Sequence, residues 1–155
     1  MADYHIAQIN IARMLAPLTD PVMADFTNNI DRINAVADQH AGFVWRLQTD
    51  DGDATALRIF DDDWLIVNMS VWERIDALFD YTYKSDHVAI YRRRKEWFTK
   101  MDSHYMALWW IPADHIPTTE EAKAKLNYMD AHGPTPLAFT FKQRFTVAEM
   151  LAAGK

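Results

Sequence analysis

The chain contains no cysteine. Disulfides, thiolate nucleophiles and cysteine-held metals are therefore excluded. Four glycines in 155 residues leave little room for a glycine-rich phosphate loop, and no Gly-x-Ser-x-Gly elbow occurs. No apolar run approaches the roughly 18 residues that a membrane-spanning helix needs. The N-terminus has no basic region followed by an apolar block, so no secretory signal is read and the cytoplasm is the expected compartment. Basic residues are in deficit, 16 Lys and Arg against 22 Asp and Glu, for a net charge of −6. Phosphate backbones want a basic surface, so nucleic acid is not an expected partner. The six histidines include no i,i+4 pair, and a helical zinc site is not expected. Asp50, Asp51 and Asp53 flank Gly52 without EF-hand spacing. Like Asp61 to Asp63, they read as an exposed turn.

What is present is apolar bulk. Half of the residues are hydrophobic and 13% are aromatic, which suits one domain over 1–155 with a single large core. Tyr4 to Arg13 alternates as a strand, with His5, Ala7, Ile9 and Ile11 on one face and Tyr4, Ile6, Gln8 and Asn10 on the other. Asp20 is a good helix cap and Pro21 suits the first helical position. The helix that follows runs to about His40, with Val22, Phe26, Ile30, Ile33 and Val36 or Ala37 as its stripe and Gly42 as its stop. Phe43 to Thr49 is a strand with Phe43, Trp45 and Leu47 on one face. Leu65 to Trp72 is another, with Ile66, Asn68, Ser70 and Trp72 sharing a face. Glu73 to about Tyr83 reads as a helix. Ser85 or Asp86 restarts it, and the second piece extends to about Met101 with His87, Ile90, Tyr91, Arg94 and Phe98 in one stripe. Tyr105 to Ile111 is a strand ended by Pro112. Thr118 and Glu121 form a capping box for a helix ending near His132 and Gly133. Ala138 to Phe145 is expected as a last strand, and Val147 to Lys155 as a short tail, helical or frayed.

The order β-α-β-β-α-β is ferredoxin-like, with an extra C-terminal α-β. The expected fold is α+β, an antiparallel sheet with both long helices on one face. No second helical layer is evident and the strands are aromatic on both faces. A second copy of the chain is therefore the expected cover, making a homodimer.

Four separated blocks, VNMSVWE at 67–73, YKSDH to YRRRKEWF at 83–98, ALWWIP at 107–112 and GPTPLAFTF at 133–141, resemble the family called domain of unknown function 3291. The resemblance spans nearly the whole chain. That family looks like a branch of the dimeric α+β barrel superfamily, which includes antibiotic-biosynthesis monooxygenases and haem proteins. The resemblance implies two ferredoxin-like protomers forming a barrel, with a cavity between each sheet and its helices. Antibiotic-biosynthesis monooxygenases often carry Trp-Glu at a strand end and Ser-x-His beyond the next helix. Trp72-Glu73 and Ser85-Asp86-His87 stand at those positions. An earlier histidine common there is replaced by Tyr81 or Tyr83.

His87 is the leading candidate as a proton carrier, a substrate hydrogen-bond donor or an axial haem ligand, with a structural hydrogen bond at the helix start as the plainer alternative. Asn10 and Asn68, with Gln8 and Ser70, place amides where an apolar strand face should be covered. They form either a structural network or a set of groups orienting a substrate. The resemblance to cofactor-free monooxygenases adds Trp45 and Trp72 as cavity residues, and Tyr83 and Tyr91 complete the walls. Arg94 could clamp a carboxylate, a phenolate or a haem propionate, or pair with an acid such as Glu96. The expected function is an enzyme for an apolar or aromatic metabolite, most like a cofactor-independent monooxygenase, with no metal. The alternatives are a haem protein with His87 as ligand and a non-catalytic metabolite-binding dimer.

Overall fold

The computed structural model describes residues 3–17, 19–48, 65–85, 87–99 and 106–153. The acidic turns expected at 50–53 and 61–63 lie outside the described residues. The elements in chain order are β1 (Tyr4–Met14), α1 (Ala24–Gln39), β2 (Phe43–Arg46), β3 (Leu65–Trp72), α2 (Ile75–Lys84), α3 (His87–Arg92), β4 (Phe98–Thr99), β5 (Met106–Pro112), α4 (Thr119–His132) and α5 (Val147–Ala153), with short 3-10 turns at Pro21–Met23 and Arg94–Glu96. The sheet is wholly antiparallel. β3 lies between β2 and β1, and the far edge of β1 carries β5 along Tyr4 to Asn10 and β4 at Arg13 and Met14. The order β5-β1-β3-β2 is that of a ferredoxin-like sheet.

Local signals place most boundaries. Asp20 Oδ1 accepts the Val22 N–H at 3.0 Å, with Pro21 following, so the chain turns into α1 where the cap chemistry puts it. Gly42 takes φ +87° just beyond α1, a left-handed conformation in which a side chain is strained. Val22 is 52% exposed and does not join the stripe of α1, whose buried residues are Ile33 and Ala37. The helix expected to reach Met101 ends instead at Arg92, and the chain turns through Arg94–Glu96 into β4. The expected strand at 138–145 shrinks to one rung, Phe139 exchanging backbone hydrogen bonds with Leu108 at 2.8 and 2.9 Å.

The two sheet faces bury different clusters. Ile6, Trp72, Leu108 and Phe139 pack with Ala37, Ala77 and Leu78 beneath α1 and α2. At the other end of the same face, Met14, Met23 and Trp97 form a smaller cluster. The opposite face carries Ala7, Ile9, Val67, Met69, Val71 and Trp109 against Ala122, Leu126 and Met129 of α4. Those three residues follow i, i+4, i+7 spacing, one stripe of the helix. This corrects the expectation that the chain has no helical layer for the second face: α4 is that layer. Its capping box is half formed. Thr118 Oγ accepts the Glu121 N–H at 3.1 Å, but the Glu121 carboxylate turns away, accepting Trp109 Nε1–H at 2.9 Å and meeting His115 Nε2 at 2.6 Å. Trp109 is thereby pinned beneath α4, while Trp110 goes to the α1–α2 side.

A bulge splits β2. Phe43 opposes Trp72 and Trp45 opposes Val71, so two steps on β2 match one on β3. Phe43 therefore packs with Trp72, while Trp45 packs on the α4 side with Val44 and Leu47. The expectation that Phe43, Trp45 and Leu47 share one face fails for this reason. No helix among the described residues is long and apolar enough to cross a membrane.

Candidate functional site

The helix-facing side of the sheet changes character along β1 and β3. At one end Ile6 opposes Trp72, and at the other Ala12 opposes Ile66. Between them Gln8 opposes Ser70 and Asn10 opposes Asn68. The polar rows lie between the two apolar clusters on that face. A cavity of about 530 Å³ opens there, with Gln8, Asn10, Asn68 and Ser70 in its floor.

The donors and acceptors of this floor have a direction. Trp72 Nε1–H can only donate, and it donates to Ser70 Oγ at 2.8 Å. Gln8 Nε2 donates to the same oxygen at 2.9 Å and to Asn68 Oδ1 at 2.7 Å. Ser70 thus accepts twice and keeps its own proton to give. Asn68 has its oxygen occupied and its amide hydrogens left over. The Asn10 amide takes no hydrogen bond among the described residues. The floor offers donors to a ligand oxygen, held in place by a tryptophan that is fully buried.

The roof comes from α1, α2 and α3. Ser85 links the last two: its hydroxyl donates to the Tyr81 carbonyl and accepts the His87 N–H at 3.1 Å. The break between helices sets His87 over the cavity. Its Nδ1 lies 2.9 Å from the Thr82 carbonyl oxygen. A carbonyl only accepts, so Nδ1 carries the proton and Nε2 holds the lone pair. Nε2 has no bonded partner among the described residues and is not sealed off. Burial holds the imidazole pKa below its ordinary value, against an opposing contribution from the Thr82 bond. His87 is therefore neutral at pH 7, a fixed tautomer with its basic nitrogen free.

Aromatic rings hold the imidazole. Its centroid is 5.0 Å from that of Tyr81 and 6.1 Å from that of Tyr91, and Tyr91 meets Tyr83 edge-on at 5.6 Å. Tyr81 stacks on Trp72 at 5.0 Å and its hydroxyl donates to the Ile33 carbonyl. Burial pushes its phenol pKa well up, so it stays protonated. Arg94 lies over Tyr91, guanidinium carbon to ring centroid 4.2 Å. The ion pair considered for Arg94 belongs to its neighbour: Arg93 holds Glu96 and Asp25, each at 2.7 Å.

Of the residues singled out from sequence, His87, Asn10, Asn68, Tyr83, Tyr91 and Arg94 all line this one cavity. Trp72 stands behind the floor, under Tyr81, and does not line it. Trp45 lies on the opposite face of the sheet, carried there by the bulge in β2. Sequence reasoning missed Trp97 and Lys95 as wall residues, because the helix read through 87–101 in fact turns at Arg92; Phe26, read as part of the α1 stripe, lines the wall as well. The carbonyl of Thr82, which fixes the histidine tautomer, has no sequence signal. Among the described residues no three His, Cys, Asp or Glu side chains group as metal ligands. Among the described residues, the features of the site that a haem could use are the free Nε2 of His87 and the guanidinium of Arg94.

Similar architectures occur among solved structures. SnoaB, described as a cofactor-independent oxygenase, from Streptomyces nogalater, is 18% identical over 72% of this chain and 95% of its own, with a TM-score of 0.46. PA3566 from Pseudomonas aeruginosa is 12% identical over 74% of this chain and 99% of its own, TM-score 0.47. Rv0793 from Mycobacterium tuberculosis is 16% identical over 73% and 99%, TM-score 0.45. No curated protein matches the sequence. The family model described as domain of unknown function 3291 matches residues 5–153, and the chain belongs to that family.

Proposed function

We propose that the cavity binds an aromatic metabolite bearing an acidic hydroxyl or enol and removes its proton. His87 Nε2 is the base, and Asn68 and Ser70 receive the developing oxyanion with the hydrogens that the Gln8–Trp72 network leaves free. One observation carries this reading: the bond to Thr82 leaves an unprotonated nitrogen in the cavity that also holds the donor floor. A neutral imidazole is the form a general base needs. Donors set in advance at a developing negative charge act without reorganising. Asn10 orients the ligand, and Tyr83 and Tyr91 hold its rings. The monooxygenase-like step that the resemblance implies, a deprotonated ring giving electrons to dioxygen with no cofactor, starts from such an anion. The family resemblance still implies a homodimer, which we expect in the cytoplasm, although α4 covers the sheet face that the sequence leaves to a second copy, and sedimentation velocity tests the assembly.

A naphthol whose phenolate absorbs separately from the phenol tests the reading. Bound to the native protein, it is expected to ionise at a pH below its own pKa. His87→Gln should bind it and lose the ionisation, and an oxygen electrode then shows whether the anion is oxidised. Binding with no ionisation in either protein would replace base catalysis with the second reading, a carrier. One feature favours the carrier: among the described lining residues there is no Asp or Glu to take the proton onward from His87.

A further inference from the structure

We infer that the cavity selects ligands carrying an anionic group, which Arg94 and Lys95 receive at its edge. The inference rests on reading the cavity as an aromatic binding site and adds the charge class of the ligand.

The chain is acidic overall, at −6, so its general field repels anions. The lining of this cavity runs the other way. Its formally charged residues among those described are Arg94 and Lys95, with no Asp or Glu. Among the described residues, the nearby carboxylates Asp25 and Glu96 are already engaged. Within the basic run Arg92 to Lys95, Arg93 takes both Asp25 and Glu96, through three hydrogen bonds of 2.7 to 3.0 Å. Arg94, the next residue, has no carboxylate partner among the described residues. Its Nη1 donates to the Tyr91 carbonyl at 3.1 Å and the guanidinium lies over the Tyr91 ring at 4.2 Å. Those two contacts fix the head while leaving most of its five N–H donors unspent. A guanidinium fixed in this way loses little freedom when it takes a carboxylate or sulfonate in a two-pronged bond. The ring beneath it is the one that packs on His87. An anion on Arg94 would therefore set the ligand's aromatic body along the tyrosine wall, toward the base.

Two dyes of nearly one shape separate the possibilities: 8-anilinonaphthalene-1-sulfonate, an anion, and N-phenyl-1-naphthylamine, its neutral counterpart. Fluorescence titration of the native protein should show the anion binding about tenfold more tightly, the size of one partly screened charge-assisted contact. Added salt should weaken the anion and leave the neutral dye unchanged. Arg94→Gln should remove about tenfold from the anion's affinity and leave the neutral dye within about twofold, while Arg94→Lys should retain part of the preference. Equal binding of the two dyes, or an anion preference that survives Arg94→Gln, would overturn the inference and leave the aromatic cavity standing. If neither dye binds, the aromatic reading of the cavity falls and this inference with it. Arg94 is exposed, so the variants are expected to fold, and circular dichroism checks that they do.

Discussion

Ser70→Ala is the substitution that bears most directly on the floor of the cavity. Ser70 Oγ accepts from Trp72 Nε1 and from Gln8 Nε2, and all three residues are buried, at 7%, 0% and 6% exposure. Alanine leaves the indole N–H with no acceptor. An orphaned buried donor costs about 1–3 kcal/mol. Gln8 loses one of two bonds and keeps Asn68, a further loss of about 1 kcal/mol. The expected total is about 2–4 kcal/mol. In a Trp72→Phe background the indole N–H is already gone, and Ser70→Ala should then cost only the Gln8 share, about 1 kcal/mol. The pair should therefore show a coupling of about 1–3 kcal/mol in a double-mutant cycle. Urea unfolding followed by far-ultraviolet circular dichroism measures all four proteins, with the slope on denaturant held as a check on the unfolded state. A cost below about 0.5 kcal/mol, or equal costs in the two backgrounds, would refute the network, since Ser70 would then not be the acceptor for the indole. The naphthol ionisation should fall in Ser70→Ala along with stability.

Three further outcomes are expected. The pKa of His87 lies below its unfolded value near 6.5, so the unfolded chain binds the extra proton first; stability should rise with pH from the folded pKa up to about 6.5 and level off above, and His87→Gln should flatten that rise in urea melts across pH. Gly42→Ala places a Cβ 2.6 Å from that of Ala77 at φ +87°, whereas Gly133→Ala, at φ +73°, meets nothing within 4 Å; the first should cost about 2–4 kcal/mol and the second about 1–3 kcal/mol, with Ala77→Gly recovering part of the loss in the first alone. Haemin titration should give no Soret shift that His87→Ala removes; a saturable shift lost in that variant would restore the haem alternative.

Features set by neighbours in the chain were legible in the sequence. Asp20 with Pro21, Thr118 as a helix cap and the glycines after two helices act within a few residues, so their effect travels with the local sequence; the Glu121 half of the capping box, drawn off to Trp109 and His115, does not. The alternation of β1 and β3 was equally readable, and it exposed Asn10 and Asn68 as polar residues on a face otherwise apolar. That anomaly, with His87 following Ser85, led to most of the cavity. What depended on distant partners was not legible. Trp45 and Phe43 look alike in alternation, and only the register against Trp72 and Val71 shows an extra residue between them. Spacing puts Arg94 in the stripe of His87 and Tyr91, but it cannot say that the acids go to Arg93; the position of Asp25 on α1 decides that. The end of α3 at Arg92 leaves no proline or glycine behind, so the turn that brings Trp97 into the wall is a tertiary effect. The stripe of α4 is mostly small or flexible side chains, a weak signal for a helix that covers a sheet.

The helix over the second sheet face has a consequence for any truncated chain. The described strands, through Pro112, all precede α4. A fragment ending before Thr119 can pair those strands but lacks the helix that lies over Met69, Val71 and Trp109. It would hold a sheet with part of one apolar side uncovered, a substrate for chaperones and for self-association.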